Sequence, residues 1–403
     1  MPQSTASMAF YSAATDFEDP TRAIDHILGR LESRVDRPFD LVVMFVTTEM
    51  VKHFQAMARR LKQALKPRVM IGSAGVAVMG VQSDIQGKAG VSVLAAALPG
   101  VQIKPVRFHP GEWGQVLNDT EFLTQQIITD PLNDPKAMIL LADPFSTPMI
   151  SFLPTLKLVA PQMKVIGGMA SSGDSPGNNR FVLNDQYWFD GAVGITLTGN
   201  LDVSCTLSQG ARPIGQPMIV TKADKHVIHE LRGKPAIKVL NEIIETLGPL
   251  ERNLVKSNGV LVGRVINEYK SHFGRGDFLV RNVVGYDDES GVIAINDSRL
   301  RVGQTVQFHV QDRDTAVEDF SMLLEVERLK EGGRGTLIFP SNTRSEKFFG
   351  LKHTDAHQVY DALGDIPLAG FATAGEIGPV GDQNFMHSHT VSMVTFRPVQ
   401  TQA

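Results

Sequence analysis

A seven-residue phrase occurs twice in this chain, as Gly168-Met-Ala-Ser-Ser-Gly-Asp174 and as Gly370-Phe-Ala-Thr-Ala-Gly-Glu376. Each copy follows an apolar run and ends on a carboxylate, and such small residues let backbone pass close to a ligand or to another backbone. The phrase closes a larger unit that recurs three times. In the first copy, an apolar strand over residues 41–46 leads to a helix over 51–65 with Val51, Phe54, Met57, Leu61 and Leu65 on one face. A strand over 69–71 and the loop Gly72-Ser-Ala-Gly75 follow. The second copy runs from 137–141 past Met149, Phe152 and Leu156 to the Gly168 phrase, and the third from 336–339 through a helix near 355–363 to the Gly370 phrase. Another apolar strand comes after each loop, over 90–97, 191–198 and 390–396. Strands alternating with helices argue for βαβ crossovers and partly parallel sheets, and the closely following third strand can return antiparallel. The expected fold class is α/β: mixed parallel and antiparallel sheets with flanking helices, in two packed domains with internal strand-helix-strand repeats.

Residues 235–333 differ in character. A helix is expected over 235–247, with Gly248-Pro249 as its stop, then short strands over 260–265, 277–284, 291–295 and 305–310. Thr315-x-x-Glu318 reads as a capping box opening a helix that ends at Gly332-Gly333. This change places a domain boundary near 215–230, giving an N-terminal helical segment over 1–35 and domains over 36–222 and 223–398.

Composition narrows the functions open to the chain. Its 39 basic and 43 acidic residues give a net charge of −4, with no basic block that would track phosphates, so nucleic acid is not an expected partner. The single cysteine, Cys205, excludes a disulfide framework or thiolate metal site and fits a reducing cytoplasm. The first ten residues lack the basic start and apolar core of a signal peptide, and no apolar run reaches the ~18 residues of a membrane span. A cytoplasmic protein that binds no membrane is the expectation.

Catalytic motifs fail on their own chemistry. Gly173-Asp-Ser-Pro-Gly177 has the spelling of a nucleophile elbow, but Pro176 has no N–H to give an oxyanion. No phosphate-binding glycine loop occurs. His353 and His357 stand at helical spacing without the glutamate of a zinc protease motif, and His387 and His389 would share one face of a strand, a pair short of a full coordination set. No metal and no cofactor is expected. Asp174 and Glu376 could accept hydrogen bonds from a ligand ammonium or simply cap turns; Arg212, Arg281 and Arg313 could grip a carboxylate or pair with Asp277, Asp312 or Asp319. Gln307 and His309 alternate with Val306, Phe308 and Val310, so they share a face that either lines a pocket or meets solvent.

Several phrases in order resemble the FIST proteins, whose paired FIST N and FIST C domains are associated with intracellular signal transduction. They are Leu207-Ser-Gln-Gly-Ala-Arg-Pro-Ile-Gly215, Leu231-Arg-Gly-Lys-Pro-Ala236, Arg275-Gly-Asp-Phe-Leu-Val-Arg-Asn282, Val306-Gln-Phe-His-Val310, Gly370 to Gly378, and His387-Ser-His-Thr390. Where family members often carry Cys, this chain has Ala211. The resemblance implies a small-molecule sensor, suggested to bind ligands such as amino acids, and no established catalytic residues. Eukaryotic relatives add an F-box; the one helix expected over 20–31 is too little for that bundle.

The sequence thus favours a cytoplasmic small-molecule sensor, its ligand an amino acid, acting on a signalling partner protein. The candidate ligand-binding residues are Gly168, Asp174, Arg212, Arg281, Gln307, His309, Gly370, Gly375, Glu376 and His387. An enzyme using Glu376 or Asp174 with a nearby His as acid and base, and a protein-interaction scaffold, are the alternatives.

Overall fold

The computed structural model describes residues 7–32, 38–130, 132–350 and 354–399. The chain divides into two compact units. The first comprises Met1–Leu207, Ser321–Met386 and Val391–Ala403, and the second Ser208–Phe320 and His387–Thr390.

The first unit is built by the threefold repeat. In each copy a lead strand (Leu41–Thr47, Ala137–Ala142, Gly335–Pro340) crosses through a helix (Phe54–Leu65, Met149–Val159, Thr354–Leu363) to a parallel second strand (Val69–Gly75, Lys164–Met169, Leu368–Phe371). The third strand (Val91–Ala97, Ala192–Gly199, Thr390–Arg397) returns antiparallel on the lead strand's other side. The lead strands are buried throughout, as their largely apolar sequences require of strands covered on both faces. Residues 72–75, expected as a loop, continue the second strand of the first copy.

Between its second and third strands each copy sends out a two-stranded excursion, which pairs with the second strand of a different copy. Ala77–Gly80 from the first copy joins the third sheet at Leu368–Phe371. Phe181–Leu183 from the second joins the first sheet at Val69–Gly75. Glu376–Val380 from the third joins the second sheet at Lys164–Met169. The exchange closes on itself, and an added strand (Ala9–Thr15, Val101–Phe108, Asp202–Gln209) completes each six-stranded sheet. Residues 9–15, in the segment expected to be helical, thus precede the helix Pro20–Glu32 as a strand of the first sheet.

The inward faces of the three sheets share one core, in which Phe45, Leu141 and Phe339 occupy equivalent positions on the lead strands. Phe45, Phe339 and Phe371 meet with ring centroids 4.9–6.1 Å apart.

The second unit is antiparallel. Ala211–Asp224, Thr305–Gln311, Leu261–Val265, Phe278–Asp287, Val292–Ile295 and Val227–Leu231 pair in that order, and Val227–Leu231 pairs back onto Ala211–Asp224, closing a small barrel. Its core includes Val262, Val306, Phe308 and Val310, with Ile237 from the helix Ala236–Thr246. That helix ends at Thr246, before Gly248-Pro249 as expected, and Pro249, whose missing N–H costs nothing at a first helical position, opens a further helix, Pro249–Asn258. The helix Arg313–Arg328 begins before Thr315, and its cap is Asp312, which accepts from the Thr315 N–H and hydroxyl.

Candidate functional site

In the first unit the repeated phrase is a joint between copies. Met169 donates its N–H to the Gly375 carbonyl and Ala374 donates to the Met169 carbonyl, so the two phrases bond to each other. The Ser171 hydroxyl donates to the Ala372 carbonyl and accepts from the Val76 N–H, tying in the first copy. Strand register pairs Met44 with Gly72, Leu140 with Gly167 and Ile338 with Gly370. Gly167, not Gly168, is therefore the structural counterpart of Gly370, one residue away from the alignment the phrases invite. At Gly167 a Cβ would stand 1.9 Å from the Leu140 carbonyl oxygen, and φ is +148°.

The carboxylates of the two phrases lie in unlike surroundings. Glu376 is wholly buried and accepts from the Thr373 hydroxyl. Asp174 is exposed in a turn, where the Ser175 hydroxyl and Asn178 amide hold its carboxyl below the ordinary range.

In the second unit the residues assemble a cavity of about 960 Å³. Its floor follows from one register shift. Ile214 pairs with Phe308 but Met218 pairs with Val306, so Gly215-Gln216-Pro217 loops out over the barrel wall. Beneath it Gln307 and His309 line the cavity, while Val306, Phe308 and Val310 face the core. Gln307 is 8% and His309 3% exposed, which resolves the alternation in favour of a pocket.

His309 owes its seat to Gly263 on the neighbouring strand, where a Cβ would come within 2.5 Å of the imidazole. Its Nδ1 lies 3.0 Å from the Gln307 carbonyl, which can only accept, so Nδ1 carries the proton and Nε2 keeps its lone pair. The ring meets Phe278 edge-on at 5.0 Å, and burial pushes the imidazole down to about 4, so it is neutral at pH 7. Gln307 donates its amide to the Gly215 carbonyl and Gln209 donates to that of Phe278. Each amide can then offer a ligand its carbonyl oxygen.

Cations stand around this neutral floor. Arg212 lines the cavity and pairs with Asp312 at 2.8 Å, and Arg275 pairs with Glu318 at 2.8 Å. Burial opposes the charge on Asp312, but Thr315 and Arg212 hold its carboxyl below the ordinary range.

Arg212, Gln307 and His309 are thus brought together, whereas the other candidates are placed elsewhere. Arg281 is buried behind the wall, its Nε 3.6 Å from Asp297, which also takes Arg264 at 2.9 Å. Gly168, Gly370, Gly375 and Glu376 belong to the first unit. His387 ends the strand Gln383–His387 and is buried, while His389 sits in a bend at φ +62°; the expected shared strand face does not exist. His353 lies outside the described residues. Among the described residues no group of three or more His, Cys, Asp or Glu could hold a metal ion, and no helix is long and apolar enough to cross a membrane.

Sequence reasoning did not single out Gln209, Gly263 or the 215–217 bulge. Gly263 carried a signal, a glycine inside an apolar strand, which marks a close approach.

A ring of three β-α-β copies together with a small barrel that carries a polar cavity defines a two-domain mixed α/β protein of the FIST class. Residues 40–234 match the FIST N domain and 236–379 the FIST C domain, and the chain belongs to the FIST family. FIST domains are associated with signal transduction and small-ligand sensing. The chain is similar to an uncharacterised protein of Mycobacterium tuberculosis, 36% identical over 337 residues, covering 83% of this chain and 85% of that protein. It is also similar to one of Mycobacterium bovis, 40% identical over 260 residues, covering 64% and 67% respectively.

Proposed function

We propose that this chain is a cytoplasmic sensor whose cavity beneath the 215–217 bulge binds a free amino acid and reports its occupancy to a signalling partner. One observation carries the reading: His309 Nε2 and the carbonyl oxygens of Gln209 and Gln307 form a buried, uncharged set of acceptors with guanidinium groups nearby. Three neutral acceptors suit an ammonium group without requiring a buried countercharge, and Arg212 supplies a fork for the carboxylate at the same end of the ligand. Gln307 links the ligand to the bulge, since the amide that would orient towards the ammonium also holds the Gly215 carbonyl. A ligand that prefers one arrangement of this bulge shifts its population, which is what a sensor requires.

The test is a thermal-shift screen of the full chain against single amino acids. A binding amino acid at a hundredfold excess over its dissociation constant stabilises the protein by about 2.7 kcal/mol. His309→Gln and Gln307→Ala are expected to remove most of the shift and Arg212→Ala to weaken it. If no amino acid shifts the protein, or the three variants respond as the parent does, the reading is wrong.

A further inference from the structure

The second unit holds another cavity, of about 640 Å³, with no lining residue in common with the first. It lies between the helices Ala236–Thr246 and Pro249–Asn258 and the barrel strands. Leu240, Ile244 and Val255 line it from the helices and Val283 and Ile293 from the strands. One part of its wall is polar. There His389, 8% exposed, has its Nε2 2.6 Å from Asn282 Oδ1, and both residues line the cavity.

We propose that this cavity is a second ligand site, for an uncharged small molecule with an apolar body and a single hydroxyl or amide head placed at the Asn282–His389 pair. The volume is in the range of small-molecule pockets, about 300–1,000 Å³, and aliphatic side chains from both helices and strands share the lining with Asn241, Asn258, Asn282, Tyr286, Asp288 and His389. Charge decides the head group. The lining contains no Lys or Arg, so nothing there repays the desolvation of a carboxylate or phosphate, and its one carboxylate, Asp288, is exposed and screened by solvent, so a cationic head gains little. Burial holds His389 at about 4, so the ring is neutral at pH 7 and supplies no cation. Because the Asn282 oxygen accepts from His389, its NH₂ is the group the pair offers to a hydroxyl or amide oxygen. His389 keeps a left-handed backbone that a side-chain-bearing residue adopts at a penalty, and this conformation sets the ring against Asn282.

The probe is N-phenyl-1-naphthylamine, a neutral dye with an apolar body and one N–H, titrated by fluorescence into the full chain. The proposal expects saturable binding of one dye per chain. Ile244→Trp, which fills the cavity, should weaken binding roughly tenfold or more, and Asn282→Ala, which removes only the polar contact, about threefold. Decan-1-ol should displace the dye about tenfold better than decanoate or decylamine. His309→Gln should leave dye affinity unchanged, which separates this site from the amino-acid cavity. Should Ile244→Trp fail to fold, Asn282→Ala and the competition series decide. The proposal is overturned by non-saturable binding, by folded Ile244→Trp binding like the parent, by decanoate competing as well as the alcohol, or by loss of dye binding in His309→Gln.

Discussion

The two units use glycine for opposite ends. In the first, Gly167 lets two strands of one copy lie so close that a methyl group would strike the Leu140 carbonyl, and the neighbouring phrase then bonds to the matching phrase of the third copy. In the second, Gly263 vacates a strand position so that the His309 imidazole can lie over it and line a cavity. Glycine against a main-chain oxygen serves packing, because a carbonyl fixed in a sheet cannot yield. Glycine beneath a side chain makes room for chemistry, and the side chain can move when the room is taken. The same residue type in an apolar strand is therefore read by what it touches.

The largest expected effect tests the first half of that contrast. Gly167→Ala adds a Cβ 1.9 Å from the Leu140 carbonyl at a φ of +148°. Overpacking and backbone strain together should cost about 4 kcal/mol. The measurement is convenient because both tryptophans, Trp113 and Trp188, belong to the first unit, so denaturation followed by their fluorescence reports that unit. A loss under about 1 kcal/mol would mean that the strands can separate and that the contact is not what holds them.

Next comes the buried charge cluster of the second unit. Burial opposes the Asp297 charge, yet Arg264 and Arg281 hold its carboxyl below the ordinary range. Arg281→Ala removes one of the cations gathered around the buried Asp297 and should cost roughly 3 kcal/mol. A carboxyl held low in the folded state adds stability that is present above the unfolded value of about 3.9 and is lost as pH falls through the folded one, so the variant should also lose part of the acid sensitivity there. The transition should move by far-UV circular dichroism while the tryptophan transition stays in place. If both move in step, the units unfold together and cannot be contrasted in this way.

Much of the first unit was legible in the sequence because its signal is local: apolar runs, helical faces and glycine punctuation recur at matching places. The exchange of excursions between sheets was not, since Ala77–Gly80 finds Leu368–Phe371 far along the chain, Met79 pairing with Gly370, and no local pattern encodes a partner so distant. The one-residue offset between phrase and register was hidden for a related reason, as composition repeats while hydrogen-bond pairing decides equivalence. In the second unit the alternation of Gln307 and His309 with apolar neighbours was readable, but whether that face met solvent depended on the 215–217 bulge. Arg281 looked like a ligand fork because its partner Asp297 stands apart from the acids considered, and Glu376 looked accessible because burial is a property of the whole fold.

The histidines give the next contrast a pH axis. Burial holds both His309 and His389 at about 4, against 6.5 for the free side chain. The unfolded chain therefore takes up protons first, so this part of the stability is whole above pH 6.5 and is lost as pH falls towards about 4. Each ring can account for up to roughly 3 kcal/mol across that window. His309→Gln should remove one share and flatten the profile by about half; an unchanged profile would mean that His309 protonates in place, and so is not a neutral acceptor.

Gly263→Ala is expected to have the smallest effect on stability and is the most discriminating. The added Cβ would meet the Cε1 and Nδ1 of His309 at 2.5 and 2.7 Å and the Phe278 Cβ at 3.1 Å. An imidazole beside a 960 Å³ cavity can swing aside, so the expected loss is about 1 kcal/mol, well below that of Gly167→Ala. The swing breaks the Nδ1 contact with the Gln307 carbonyl and displaces Nε2 from the acceptor set, so the amino-acid thermal shift should vanish while the fold persists. A folded Gly263→Ala protein with its ligand response intact would show that His309 does not hold the ligand. Unfolding as severe as that of Gly167→Ala would show instead that the cavity wall is as rigid as the sheets of the first unit, and the two uses of glycine would collapse into one.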